Sequence, residues 1–106
     1  MNMPATHLVR SIAEVVTPVP ARYLAQLCKH FQHKLDVVFD NQSGHIVFPL
    51  GDCRLTARDG TLTLSAEAAD EDKLAKLQDV VARHLLRFAF REEMQIDWRQ
   101  TDAQTC

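Results

Sequence analysis

The stretch GHIVFPLGDCRLTARDGTLTLSA, residues 44–66, decides the fold. Cys53, Leu55 and Ala57 alternate with Arg54, Thr56 and Arg58, and Leu62, Leu64 and Ala66 alternate with Thr61, Thr63 and Ser65. An apolar residue at every second position marks a strand with one buried and one solvated face. Between the two runs, Asp59-Gly60 is the pair that a tight type I′ hairpin turn selects. Ile46 and Phe48 give an earlier strand of the same kind, closed off by the Pro49–Asp52 break. The connections are hairpin-sized, so these strands are antiparallel.

Working outward, Leu35, Val37 and Phe39 alternate in the same way before the turn-rich Asp40–Gly44 segment. That makes four consecutive strands. Upstream, the spacing of Leu24, Leu27, Cys28 and Phe31 makes one apolar helical stripe and predicts a helix over residues 21–33. Pro20 suits its first turn, where the missing N–H costs nothing. Residues 8–17, rich in Val and Ile and stopped by Pro18 and Pro20, read as a first strand.

Downstream, Asp70 caps a second helix whose stripe is Leu74, Leu77, Val81, Leu85 and Phe88. Glu71 and Asp72 favour its N-terminal end, and Arg87 and Arg91 its C-terminal end. A last extended piece, residues 94–98, is expected at the sheet edge, and residues 100–106 are expected to fray. The order strand, helix, four strands, helix predicts a single α+β domain over residues 1–106, with an ordered core over about residues 8–98. Each helix has one apolar stripe, so both are expected on the same face of an antiparallel sheet, in two layers. The opposite face is expected to show Asp36, Val38, Val47, Arg54, Thr56, Thr61, Thr63 and Ser65, polar apart from an apolar centre at Val38 and Val47.

Bulk properties narrow the function. The chain has 106 residues, 46% of them hydrophobic and 25% charged, which is ordinary globular usage with room for one core. A formal net charge of -2 gives no basis for nucleic-acid or anionic-membrane binding. No run approaches the roughly 20 apolar residues of a membrane span. The first ten residues lack the basic and hydrophobic regions of an export signal. Three cysteines without regular spacing predict reduced thiols and a cytoplasmic location rather than a disulfide framework. Three glycines leave no room for a phosphate-binding or dinucleotide loop. There is no nucleophile-elbow serine and no His-Glu-x-x-His.

Several blocks resemble a known family. Ala21-Arg22-Tyr23-Leu24 running into Leu27-Cys28-Lys29-His30-Phe31 and His33-Lys34 resembles the opening of the bacterial family catalogued as domain of unknown function 2218. Phe48-Pro49 with Gly51 and Cys53, then residues 87–93 with Asp97-Trp98, resemble its later blocks. The resemblance implies an association with flavin-dependent siderophore-interacting proteins, and so an accessory role in iron uptake with such a reductase as partner. The element order is also similar to one repeat of the TATA-binding protein fold, without that protein's basic, apolar DNA-bending surface.

Two functional readings follow. The first is a non-enzymatic binding or accessory module that needs no cofactor. Its expected surface is the polar face of the first helix, where Arg22, Gln26, Lys29, His30 and His33 suit an anionic ligand or an acidic partner. The second is a metal- or haem-binding redox protein that uses His30, His33 and a cysteine, with Cys53 as the candidate. At 100° per residue, Cys28 lies about 160° round the helix from His30 and about 140° from His33, so it points to the core while the histidines face outward. His84, at the edge of the second stripe, is expected to be partly buried and satisfied by a neighbouring carbonyl or carboxylate. Glu92 and Glu93 diverge as neighbours and are expected, with Arg87 and Arg91, to tie the helix end to the sheet by ion pairs. Neither composition nor pattern sets an oligomeric state.

Overall fold

The computed structural model describes residues 8–101. The expectations placed on residues 1–7, on the tail beyond Thr101 and on Cys106 lie outside them. The described chain runs β1 (Val9–Val16), α1 (Pro20–Phe31), β2 (Asp36–Phe39), β3 (Ser43–Phe48), β4 (Gly51–Arg58), β5 (Thr61–Ala68), α2 (Glu71–Phe88) and β6 (Arg99–Thr101). The strands form one open antiparallel sheet in the order β2-β3-β4-β5-β1-β6.

Register follows from the alternation. Pairing Cys53 with Ala66, Leu55 with Leu64 and Ala57 with Leu62 puts all six on one face. Ala13 and Val15 extend that face through their partners Leu64 and Leu62, and Ile46 does so through Cys53. A slip of one residue would turn the whole set to solvent. The β4–β5 turn has positive φ at Asp59 (49°) and Gly60 (72°), as a type I′ turn requires. Both helices pack on this face. Leu24, Leu27, Cys28, Leu77 and Leu85 are all 0% exposed between the layers. The other face is open, with Val38 76% and Val47 41% exposed. These two valines lie on β2 and β3, at the edge of the sheet rather than at its centre.

Two element boundaries differ from expectation. Helix α1 ends at Phe31 rather than residue 33, because Lys34 N–H and Leu35 N–H both turn back to the Phe31 carbonyl, at 3.0 and 2.9 Å. This turn lets Leu35 pack against the core at the entry to β2. The last strand is Arg99–Thr101 rather than residues 94–98. Met94, Ile96 and Trp98 do alternate and pack against the core, but pairing starts only at Arg99, opposite Ile12 of β1. Gln100 and Thr101, expected in the frayed tail, therefore belong to the sheet.

Gly44 shows how closely α1 meets the sheet. A Cβ there would sit 2.8 Å from Cys28 Sγ and 3.3 Å from Phe39 Cβ. Gly44→Ala should therefore destabilise the fold by about 1–3 kcal/mol, the usual cost of overpacking. Adding Cys28→Ala should recover part of that loss in urea unfolding. Identical midpoints for Gly44→Ala and wild type would show that the contact does not constrain the layers.

Candidate functional site

The residues singled out on α1 separate to its two ends, since seven residues of helix from Arg22 to Lys29 span about 10 Å. At the first end the chain enters α1 through Pro18, Val19 and Pro20. No side chain caps this helix start, and its first turn holds no acidic residue. A cleft of about 690 Å³ opens here between the start of α1, the β2–β3 loop and the β4–β5 turn. Arg22 and Arg58 line it from separate elements, with Asn41, Gln42 and Asp59. Among the described residues, neither arginine has an ion-pair partner.

The loop wall of the cleft is well fixed. Asp40 Oδ1 accepts N–H bonds from Gln42 at 2.8 Å and Ser43 at 2.9 Å, and the Gln42 carbonyl accepts from Ala57 N–H at 2.8 Å. The two N–H donors hold the Asp40 carboxyl below the usual carboxylate range.

Beside this end, Glu92 joins three parts of the chain. Its carboxylate accepts a bond from the Tyr23 hydroxyl and one from Thr17 Oγ1 at 3.1 Å. Tyr23 is 6% and Thr17 2% exposed, so both hydroxyls need this partner. The tie between helix end and sheet expected from ion pairs is thus made by neutral hydroxyls. Arg91 instead lies over the Phe90 ring, 5.4 Å from its centre. Bonding to Glu92, with burial and the carboxylate charge, raises the Tyr23 pKa.

At the other end, Lys29, His30 and His33 are exposed. The His30 ring lies 4.9 Å from that of His84 on α2, centre to centre, and meets Phe31 and Phe88 edge-on. His84 Nδ1 is 2.7 Å from the Val80 carbonyl oxygen. Burial lowers the His30 pKa, reinforced by His84, Arg87, His33 and Lys34.

Cys28 and Cys53 are free, buried thiols. Burial pushes Cys28 up to about 11. It pushes Cys53 up to about 12, with further contributions from Cys28 and Asp52. The structure does not gather His30, His33 and Cys53 into one site. No group of three or more His, Cys, Asp or Glu among the described residues is arranged to hold a metal ion. Sequence reading also missed Arg58, which has the pattern of an ordinary solvated strand residue, and the contact between His30 and His84. For the latter the only signal was His84 at the edge of its stripe, since His30 reads as an outward-facing residue.

The family model described as an uncharacterized protein conserved in bacteria, DUF2218, matches residues 12–99. The chain belongs to this family. No curated protein matches it. It is similar to the NMR structure of PA4090 from Pseudomonas aeruginosa, with 40% identity, a TM-score of 0.73, and coverage of 86% of this chain and 95% of that one. Tyr23 and Glu92, near the two ends of the matched region, thus meet here. Among the described residues, no helix is long and apolar enough to cross a membrane.

Two measurements check this geometry. The chain has one tyrosine, so ultraviolet titration reads Tyr23 alone. Its midpoint should lie above 10.0, the ordinary value. Glu92→Gln should bring it down, and an unshifted midpoint in wild type would remove Glu92 as its partner. In a Cys106→Ser background, Cys28 and Cys53 should react with a disulfide reagent at neutral pH only after denaturation, since the thiolate is the reactive form. Stoichiometric labelling of the native protein would contradict their burial.

Proposed function

We propose that this domain works by binding rather than by catalysis, and that the cleft at the start of α1 takes an anionic group of its ligand or partner. The observation that carries this reading is the pair Arg22 and Arg58, which line one cleft from two elements without a carboxylate partner in an ion pair. Guanidinium groups match carboxylates and similar oxyanions as two-pronged donors. Asp59, in the same lining, selects against a ligand that would fill the whole cleft with negative charge.

The biological setting attached to this reading is an accessory role in iron uptake in the cytoplasm. Its support is what the resemblance of the sequence blocks implies, together with chemistry. Ferric chelators bear anionic carboxylate, hydroxamate or catecholate oxygens, and a reductase could present an acidic patch to the same two arginines. Catalysis has less support, because both core thiols are held protonated and Glu92 is engaged by two hydroxyls.

The test uses citrate as the probe and follows backbone amide shifts by NMR. Citrate should move Ala21, Arg22, Gln42 and Arg58. Arg22→Ala and Arg58→Ala should each weaken binding about tenfold or more, since a hydrogen bond to a charged group contributes about 1.5–3 kcal/mol. Both residues are exposed, so the melting temperature should barely change. Equal affinity in the double variant, or shifts confined to other residues, would overturn the reading.

A further inference from the structure

The two histidines at the far end of α1 are independent of that cleft. Two imidazoles that share one metal at about 2.0–2.1 Å place each ring centre about 3.2 Å from the ion. A centre-to-centre distance of 4.9 Å then corresponds to a ligand–metal–ligand angle of about 100°. That lies between the right angle of neighbouring octahedral positions and the tetrahedral angle. The spacing of His30 and His84 therefore leaves room for a shared ion between the rings.

The tautomer of His84 is suited to the role. A carbonyl can only accept, so His84 Nδ1 carries the proton toward Val80 O, 2.7 Å away, and the lone pair is left on Nε2. A backbone carbonyl that holds the second ring nitrogen is the usual way a histidine ligand is oriented. The rings are also held in place: His30 meets Phe31 and Phe88 edge-on, and Phe31 lies 4.9 Å from His84.

The geometry points to a two-imidazole site, made by His30 of α1 and His84 of α2, for a borderline divalent ion of the zinc, nickel or copper class. Imidazole suits these ions, whereas magnesium and calcium take oxygen ligands. Water completes the coordination. A bound ion would pin α1 to α2 where the helices cross. Lys34 and Arg87 add positive charge nearby, so the site is a weak one rather than a permanent centre.

The test is isothermal titration of metal-free protein with zinc chloride, in a Cys106→Ser background so that the tail thiol cannot contribute. One zinc per chain is expected, with no response to magnesium. His30→Asn and His84→Asn should each weaken binding at least tenfold, and His33→Asn should change it little. A variant that loses its fold is replaced by a second measurement on folded protein with both histidines intact. There, long-range proton–nitrogen NMR should show zinc moving the Nε2 signal of His84 and a ring-nitrogen signal of His30. Absence of zinc binding, equal affinity in both variants, or unmoved ring signals would overturn the site.

Discussion

The ladder between β1 and β5 is the constraint from which the rest of the molecule follows. All eight residues of β1 pair with β5, from Val9 opposite Ala68 to Val16 opposite Thr61. The first strand in the sequence therefore sits inside the sheet, between β5 and β6. From there α1 must carry the chain to the far edge, where β2 begins, and α2 must bring it back from β5 to β6. The start of α1 is anchored beside the β4–β5 turn, where Thr17 N–H donates to the Gly60 carbonyl at 3.0 Å. Its end meets the last turns of α2, at His84 and Phe88. The cleft and the histidine pair are thus the two ends of one crossing.

Rotation of α1 about its axis is set by the core. Leu24, Leu27 and Cys28 are completely buried, and each large apolar side chain stabilises the fold by roughly 1.5–3 kcal/mol. Such terms outweigh exposed ion pairs of about 0–1 kcal/mol, so the charged residues of α1 take whatever directions remain. Arg22 and Lys29 point outward for this reason. It explains their exposure without assigning them a role. What distinguishes Arg22 is the second arginine across the cleft, supplied by the far end of β4.

Much of this architecture was legible because period two and period 3.6 are local signals. The Asp59-Gly60 turn, the four consecutive strands and the stripe of α2 each depend on residues a few positions apart. Long-range partners left no such trace. Tyr23 reads as one more apolar position, and nothing near it announces Glu92. Residues 94–98 do alternate, but alternation reports which side chains are buried and not whether the backbone pairs, so the paired strand begins only after them, at Arg99. Arg58 has the pattern of a solvated strand residue, and it becomes a cleft wall only because α1 begins beside it. His30 and His84 needed the helix crossing itself.

The two helices also differ in how their first turns are stabilised. Helix α2 has the Asp70 side chain accepting from Lys73 N–H at 2.8 Å, acids in its first turn and Arg87 in its last. A side-chain cap of this kind contributes typically about 1 kcal/mol. Helix α1 has no such cap, and Arg22 stands in its first turn with the unfavourable sign for the helix dipole. Its start is held from the side instead, by Leu24 in the core and by Thr17 and Tyr23 bonded to Glu92. This arrangement separates stability from exposure. The polar anchors lie behind the helix, toward the chain that follows α2, while Arg22 faces a cleft walled by a loop that Asp40 holds rigid. An anion placed there would offset both the dipole and the arginine, at no cost to the contacts that keep the helix in place.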